Sequence, residues 1–332
     1  MIVKTFLAQI DPPAILSTLG DFFWTHSVLI PPSLIAFFSG FLFALAFLFI
    51  NRAQLAGVKR GHELLAVTLI NLICTLIILA FQIGTGRFGG LPSLSWQAIG
   101  WFLLAGLLSS FGGRYLVLIA MKHIGPSRAA AFKSFAPVVT AVAGWVLLGQ
   151  PIDRQIGLAA LLLSVGLWLL NNQLKGKKAT PGITNNHSLG WVLGGASAVC
   201  WGLGYIARRL GLEAMPSPVV GVIIAALVTA TIMLTMNRKT MGWPSSLAYF
   251  GPPASLLPML FAGLLSTAGQ LAAFSALQLM ENTAVAVILI SLDPLFMLML
   301  SRLIVGKGEV ITPMSLVYMG IALTGCAIAV LH

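Results

Sequence analysis

The sequence predicts an all-α integral membrane protein of ten transmembrane helices, arranged as two inverted five-helix repeats. Three observations predict it: a scarcity of charge, a series of long apolar segments, and a register of matching residues 157 positions apart. Of 332 residues, 58% are hydrophobic and 8% charged, and the mean hydropathy is +0.97. A soluble domain carries about 25% charged residues because its surface must be solvated. This chain cannot cover itself in water on so few, so its solvent is a lipid bilayer.

A spanning helix needs about 20 mostly apolar residues. Ten stretches qualify: 31–50, 64–83, 96–121, 128–148, 155–171, 189–207, 217–236, 254–279, 283–304 and 311–331. Polar, Gly or Pro clusters such as "NRAQLAGVKRGHE", "TGRFGGLPS", "KHIGPS" and "NRKTMGWPSS" separate them. The longest polar stretch, "NNQLKGKKATPGITNNHS" at 171–188, reads as a flexible linker. The expected layout is therefore an N-terminal segment 1–30, a first repeat 31–171, a linker 172–188 and a second repeat 189–332. Asp11, Pro12, Pro13 and Asp21 make residues 1–30 too polar to span, while "DFFWTHSVLI" is aromatic enough to lie in the membrane interface. The apolar run after Lys4 ends at Asp11 before a signal-peptide core forms.

The repeat shows first as "AGLLSS" at 105–110 and "AGLLST" at 262–267. At the same offset Gly112 matches Gly269, Ser134 matches Ser291, Pro137 matches Pro294, Gly149 matches Gly306, and Arg52 matches Arg209. With two residues inserted after Gly306, Gln150 meets Glu309 and Gly166 meets Gly325. An odd number of spans per unit forces the second unit to enter the membrane from the opposite side. Inverted repeats of this kind are a device of secondary transporters, whose binding site lies near the midplane between the halves.

The segments "GGRYLVLIAMKHIGPSRAAAFKSFAPVVTAVAGWVLLGQ" and "GQLAAFSALQLMENTAVAVILISLDPLFMLMLSRLIVGKGE" resemble the two EamA repeats of the drug/metabolite transporter superfamily. In both, small residues follow a helix turn, a proline lies mid-helix, and Gly with an acid or amide closes the span. The first repeat departs from the pattern with Gly149-Gln150 where Glu is usual. The resemblance covers residues 33–331. It implies ten helices, a cavity lined by the third, fourth, eighth and ninth, and movement of small metabolites or drugs.

Ionisable groups inside a span cost about 2.5–3.5 kcal/mol each on insertion scales, so each is a functional candidate. Arg114, Lys133 and Asp293 are such groups. Arg114 and Lys133 are long enough to snorkel toward a helix end. Asp293 is too short and too central for that, which leaves an ion pair with Lys133 or Arg114, or a substrate or proton role. Pro137 and Pro294 each remove a backbone donor and leave carbonyls free. Those carbonyls must face protein, water or ligand. Matching breaks in the two halves point to a binding site. Ser134, Ser291 and Gln270 add polar groups near the breaks, with helix-to-helix hydrogen bonding as their other use. Gly112 and Gly269 would line the cavity, and Trp201 and Tyr205 either line it or pack. Two cations against one anion leave a positive surplus, which would attract an anionic or zwitterionic substrate.

Several chemistries are not encoded. G-x-x-x-x-G-K-[ST] and H-E-x-x-H are absent, and Asp293 has no second intramembrane carboxylate beside it. No cofactor, metal or enzymatic activity is therefore expected. Cys74, Cys200 and Cys326 lie in apolar runs without C-x-x-C spacing and read as inert thiols. The net charge of +11 sits at helix ends, where membrane topology accounts for it without nucleic acid. The expected function is a secondary transporter, an exporter of small organic solutes by alternating access, in the plasma (cell inner) membrane, with proton coupling open. The alternative is a non-transporting scaffold or sensor that keeps the fold. Lys and Arg concentrate on the side of the 171–188 linker, which places that side in the cytoplasm. Arg208 and Arg209 count for the opposite side in this reading.

Overall fold

The structure is a computed structural model that describes residues 31–58, 62–85, 95–124, 129, 131–173, 187–240, 251–304 and 312–331. The N-terminal segment, the centre of the linker, Gly306 and Glu309 lie outside the described residues. All regular elements among the described residues are helices: α1 (Pro32–Leu55), α2 (His62–Gly84), α3 (Trp96–Ala105), α4 (Gly113–Ile124), α5 (Ala136–Leu148), α6 (Arg154–Gln173), α7 (His187–Ala214), α8 (Pro218–Thr240), α9 (Pro253–Leu279), α10 (Thr283–Ile290), α11 (Asp293–Ile304) and α12 (Pro313–Leu331). A π-helical segment, Gly106–Gly112, joins α3 to α4, and a 3₁₀ turn, Phe132–Phe135, leads into α5.

Among the described residues, seven helical stretches are long and apolar enough to cross a membrane: Pro32–Leu55, His62–Gly84, Ser188–Ala214, Pro218–Met236, Pro253–Leu279, Thr283–Leu300 and Pro313–Leu331. Two more predicted spans appear as shorter apolar helices, Phe132–Leu148 and Arg154–Leu170. The expected helix at 96–121 is interrupted by the π segment, which no periodicity in the sequence marks. The helices are apolar nearly all round, as suits elements that face lipid on one side and neighbours on the other. Within each, the backbone satisfies its own donors and acceptors, a requirement in hydrocarbon.

Local sequence sets the helix ends. Pro32 opens α1 at the first helical position, where its missing N–H costs nothing. Asn282 caps α10, its Oδ1 accepting from the Ala284 and Val285 N–H groups. Gly149 ends α5 in the left-handed region at φ +64°, and the N–H of Gln150 returns to the Gly144 carbonyl at 3.2 Å. The Gln150 amide then ties this end to the other repeat. Its Nε2 donates to the Glu281 carbonyl and to Thr283 Oγ1, each at 3.1 Å, and its Oε1 accepts from the Thr283 N–H at 3.1 Å.

The packing exchanges under the sequence register. α1 lies on α9 as α7 lies on α3, the π segment and α4. α1 also packs on α10 and α11 as α7 packs on α5 and its 3₁₀ turn. α2 meets α8 and α6 meets α12, each an element against its own counterpart, and α5 meets α10. The close approaches repeat the exchange residue by residue. A methyl group on Gly166 would lie 2.7 Å from Ala322 N, and one on Gly325 would lie 2.8 Å from Leu163 N. Ala322 and Leu163 are matched at the offset of 159, so the inferred two-residue insertion is reproduced in space. Gly106 and Gly263, the glycines of the doubled hexapeptide, admit Ala225 of α8 and Ile70 of α2 respectively. Small residues where helices cross are the usual solution in a membrane, where packing drives association.

One packing expectation is corrected. A cavity lined by the third and eighth spans would set them against each other, but the chief partners of the third are α7 and α8, because Gly204 and Gly211 of α7 admit Ser109 and Phe102. It reaches α9 through the Phe102 and Phe274 rings, whose centroids are 6.1 Å apart.

Candidate substrate site between the repeats

The two predicted helix breaks are present and begin in the same way. Pro137 is the second residue of α5, and the turn before it tightens to 3₁₀, the Ala136 N–H reaching the Lys133 carbonyl. Pro294 is the second residue of α11, after a break at Ser291–Leu292 that separates it from α10. Gly40 of α1 lies over the second break, where a Cβ would stand 2.9 Å from the Ile290 carbonyl oxygen. The freed backbone therefore faces protein, as hydrocarbon demands.

Each break presents one charge to the other repeat. Lys133 occupies the 3₁₀ turn, and Asp293 is the first residue of α11, where the helix dipole favours an anion. Lys133 Nζ donates to Asp293 Oδ2 at 2.7 Å. The aspartate side chain is 6% exposed and the lysine 28%, so the lysine side chain is partly open and the carboxylate is enclosed. Two aromatic rings complete the lysine's surroundings, Trp201 at 5.3 Å and Phe47 at 5.7 Å from their centroids. A cation is favoured over such faces. Ser134 and Ser291 are buried beside the pair's two elements.

Arg114 lies just past the π segment, with its guanidinium 5.9 Å from the Trp201 ring. It has no carboxylate partner among the described residues. Gly113 makes room there, since a Cβ would stand 2.7 Å from the indole. Gln270 has its Oε1 buried without a hydrogen-bond partner. The two glycines expected to line a cavity are instead contact points: Gly269 admits Phe43 of α1 and Gly112 faces Cys200 of α7, positions matched by the 157 offset. Ser39 Oγ of α1 donates to the Gly269 carbonyl at 2.9 Å and fixes that crossing. A cavity of about 480 Å³ opens elsewhere, at the end where α1 and α10 begin, lined by residues including Pro32, Gln150, Asp153, Glu281 and Asn282.

Sequence reasoning misplaced Arg208. It was assigned to a loop after the sixth span, but α7 continues to Ala214, so Arg208 lies about 9 Å inside the helix at 1.5 Å per residue. It is 4% exposed. Its Nη2 donates to Ser109 Oγ at 2.8 Å, and its guanidinium lies 5.1 Å from the Tyr205 ring and 4.9 Å from Phe274. The signal was available, because Trp201, Tyr205 and Arg208 follow i, i+4, i+7 and share a helix face. Arg209, also within α7, closes the end of α9 by donating to the Leu277 and Met280 carbonyls. Removing both from the loops sharpens the charge asymmetry between the two sides.

The arrangement places three cations along an aromatic pair whose rings are 6.4 Å apart, with Asp293 ion-paired to one of them. No group of three His, Cys, Asp or Glu able to hold a metal occurs among the described residues. Two matched helical repeats, with paired helix breaks and charges buried between them, define the class of multi-pass membrane transporters. The EamA-like transporter family model matches residues 31–172 and 188–331, and the chain belongs to that family, a transporter family of the drug/metabolite type. A solved crystal structure, described only as that of a protein, is similar in fold, with a TM-score of 0.68 and 18% identity over 90% of this chain and 96% of that one. No curated protein matches.

Proposed function

We propose that the protein is a secondary active exporter of small organic metabolites or drugs bearing an anionic or zwitterionic group, working by alternating access in the cell's inner membrane. The observation that carries this reading is the Lys133–Asp293 bond, which joins the repeats at their matched helix breaks. Ten crossings in two inverted units give two halves that can exchange conformations around it. In the proposed cycle a substrate carboxylate displaces Asp293 from Lys133. Asp293, enclosed and deprived of its cation, then takes a proton on its carboxylate oxygen or accepts the substrate's ammonium. Release of the substrate, with departure of the proton or ammonium from Asp293, restores the ion pair. Arg114, Ser134, Ser291 and Gln270 supply further polar contacts, and Pro137 and Pro294 mark the points at which the halves bend.

Thermal shifts of the detergent-purified chain across a metabolite panel, followed by counterflow of each stabilising compound in proteoliposomes, test the proposal. Stabilisation by carboxylate-bearing compounds, with saturable counterflow, is expected. Stabilisation without flux would favour the sensor, and flux confined to organic cations would overturn the substrate class.

A further inference from the structure

Arg208 is a buried cation that the Lys133–Asp293 pair does not use. Its guanidinium lies against the Tyr205 and Phe274 rings and is held at Nη2 by Ser109. Its Nε–H is buried and finds no acceptor among the described residues. No carboxylate among the described residues balances it. A buried, unpaired charge inside a spanning helix is costly, and a merely structural donor to one serine could be neutral. An arginine flanked by rings, with Nη2 on a serine and its Nε–H unused, instead keeps a donor for an oxyanion, the partner a guanidinium favours.

Its place in the bundle gives that donor a use. Trp201, Tyr205 and Arg208 lie along one face of α7, with Trp201 beside Lys133 and Tyr205 beside Arg208. Seven residues of helix separate Trp201 from Arg208, an axial distance of about 10 Å. Lys133 follows the start of its span on the linker side, whereas Arg208 is displaced toward the end of α7 on the other side. The register pairs Arg208 with Asn51 in the first repeat, so this cation has no counterpart and breaks the two-fold exchange. Ser109, which orients it, belongs to the π segment, and its counterpart Ser266 belongs to the continuous helix α9. Arginine and π segment are thus both peculiar to one side of the pathway.

We propose that Arg208 is a second anion-binding station, taking the carboxylate or phosphate group of the solute after it leaves Lys133 and before release at the end where α7 terminates. This rests on the transport reading for its place in the cycle, but the station can be tested by equilibrium binding alone. Calorimetric titration of the purified full chain with benzoate, inorganic phosphate and benzylammonium is the experiment. Wild type should bind at least one of the two anions and not benzylammonium. Arg208→Gln should weaken that binding about thirtyfold or more, as removal of a buried charged partner does, and Arg208→Lys should recover part of it. Ser109→Ala keeps the guanidinium and should bind the anion, which covers the case in which Arg208→Gln fails to fold. Equal affinity in wild type and a folded Arg208→Gln would overturn the station, as would loss of binding in Ser109→Ala with no further loss in Arg208→Lys. Absence of anion binding in wild type would overturn it too. Anion binding lost in Arg208→Gln, in a protein without flux, would leave the station standing and remove the transport reading.

Discussion

At the scale of single residues, Gln150 shows why one departure from the family pattern is tolerated. The amide must donate to the Glu281 carbonyl while accepting from the Thr283 N–H, and a carboxylate can do only the second. Gln150→Glu, the residue the family pattern favours, should therefore lower stability by about 1 kcal/mol, the typical net value of a hydrogen bond. A fall in melting temperature checks this, and a rise would show that the first repeat needs no donor there. The charged residues were legible in the sequence to different degrees. Lys133 and Asp293 stood inside apolar runs, and their partnership was one of the alternatives that chemistry allowed. Arg208 was missed because it follows the apolar stretch at 189–207 and reads as a helix-end cation when hydropathy alone sets the boundary. Its burial depends on seven further residues of α7 and on rings from α7 and α9, and tertiary packing of that kind leaves little trace in a local window.

At the scale of elements, the prolines, matched glycines and small-residue strings were readable because each fixes local backbone geometry or helix separation. The π segment was not, since Gly106–Gly112 differs from its α-helical counterpart Gly263–Gly269 in α9 only at Ser110 and Phe111, and neither residue is a signal for a π turn. The helix crossings give a sharp expectation. Gly166→Leu and Gly325→Leu should each separate α6 from α12 and destabilise the fold by several kcal/mol, as overpacking at a backbone contact does. Gly195→Leu, where a Cβ meets nothing within 4 Å, serves as the control and should be nearly neutral. Detergent melting curves decide this. A tolerated Gly325→Leu would contradict the crossing.

At the scale of the whole molecule, the constant offset was the most informative feature of the sequence, because it relates distant contacts that no local propensity encodes. It anticipated which helices exchange partners, although not that the third span leans on α7 and α8. If the charge bias sets the orientation, the linker faces the cytoplasm, and a cysteine at Thr180→Cys should resist labelling from outside intact cells. Efficient labelling there would reverse the orientation and with it the direction of export. The central claim is that the Lys133–Asp293 bond is exchanged during transport and is not a fixed brace. Substrate flux and melting temperature of Lys133→Ala, Asp293→Asn and the double variant test it most directly. The account predicts that both single variants insert and fold but lose flux, and that the double variant stays inactive whatever its stability. A double variant that transports at the wild-type rate would contradict it.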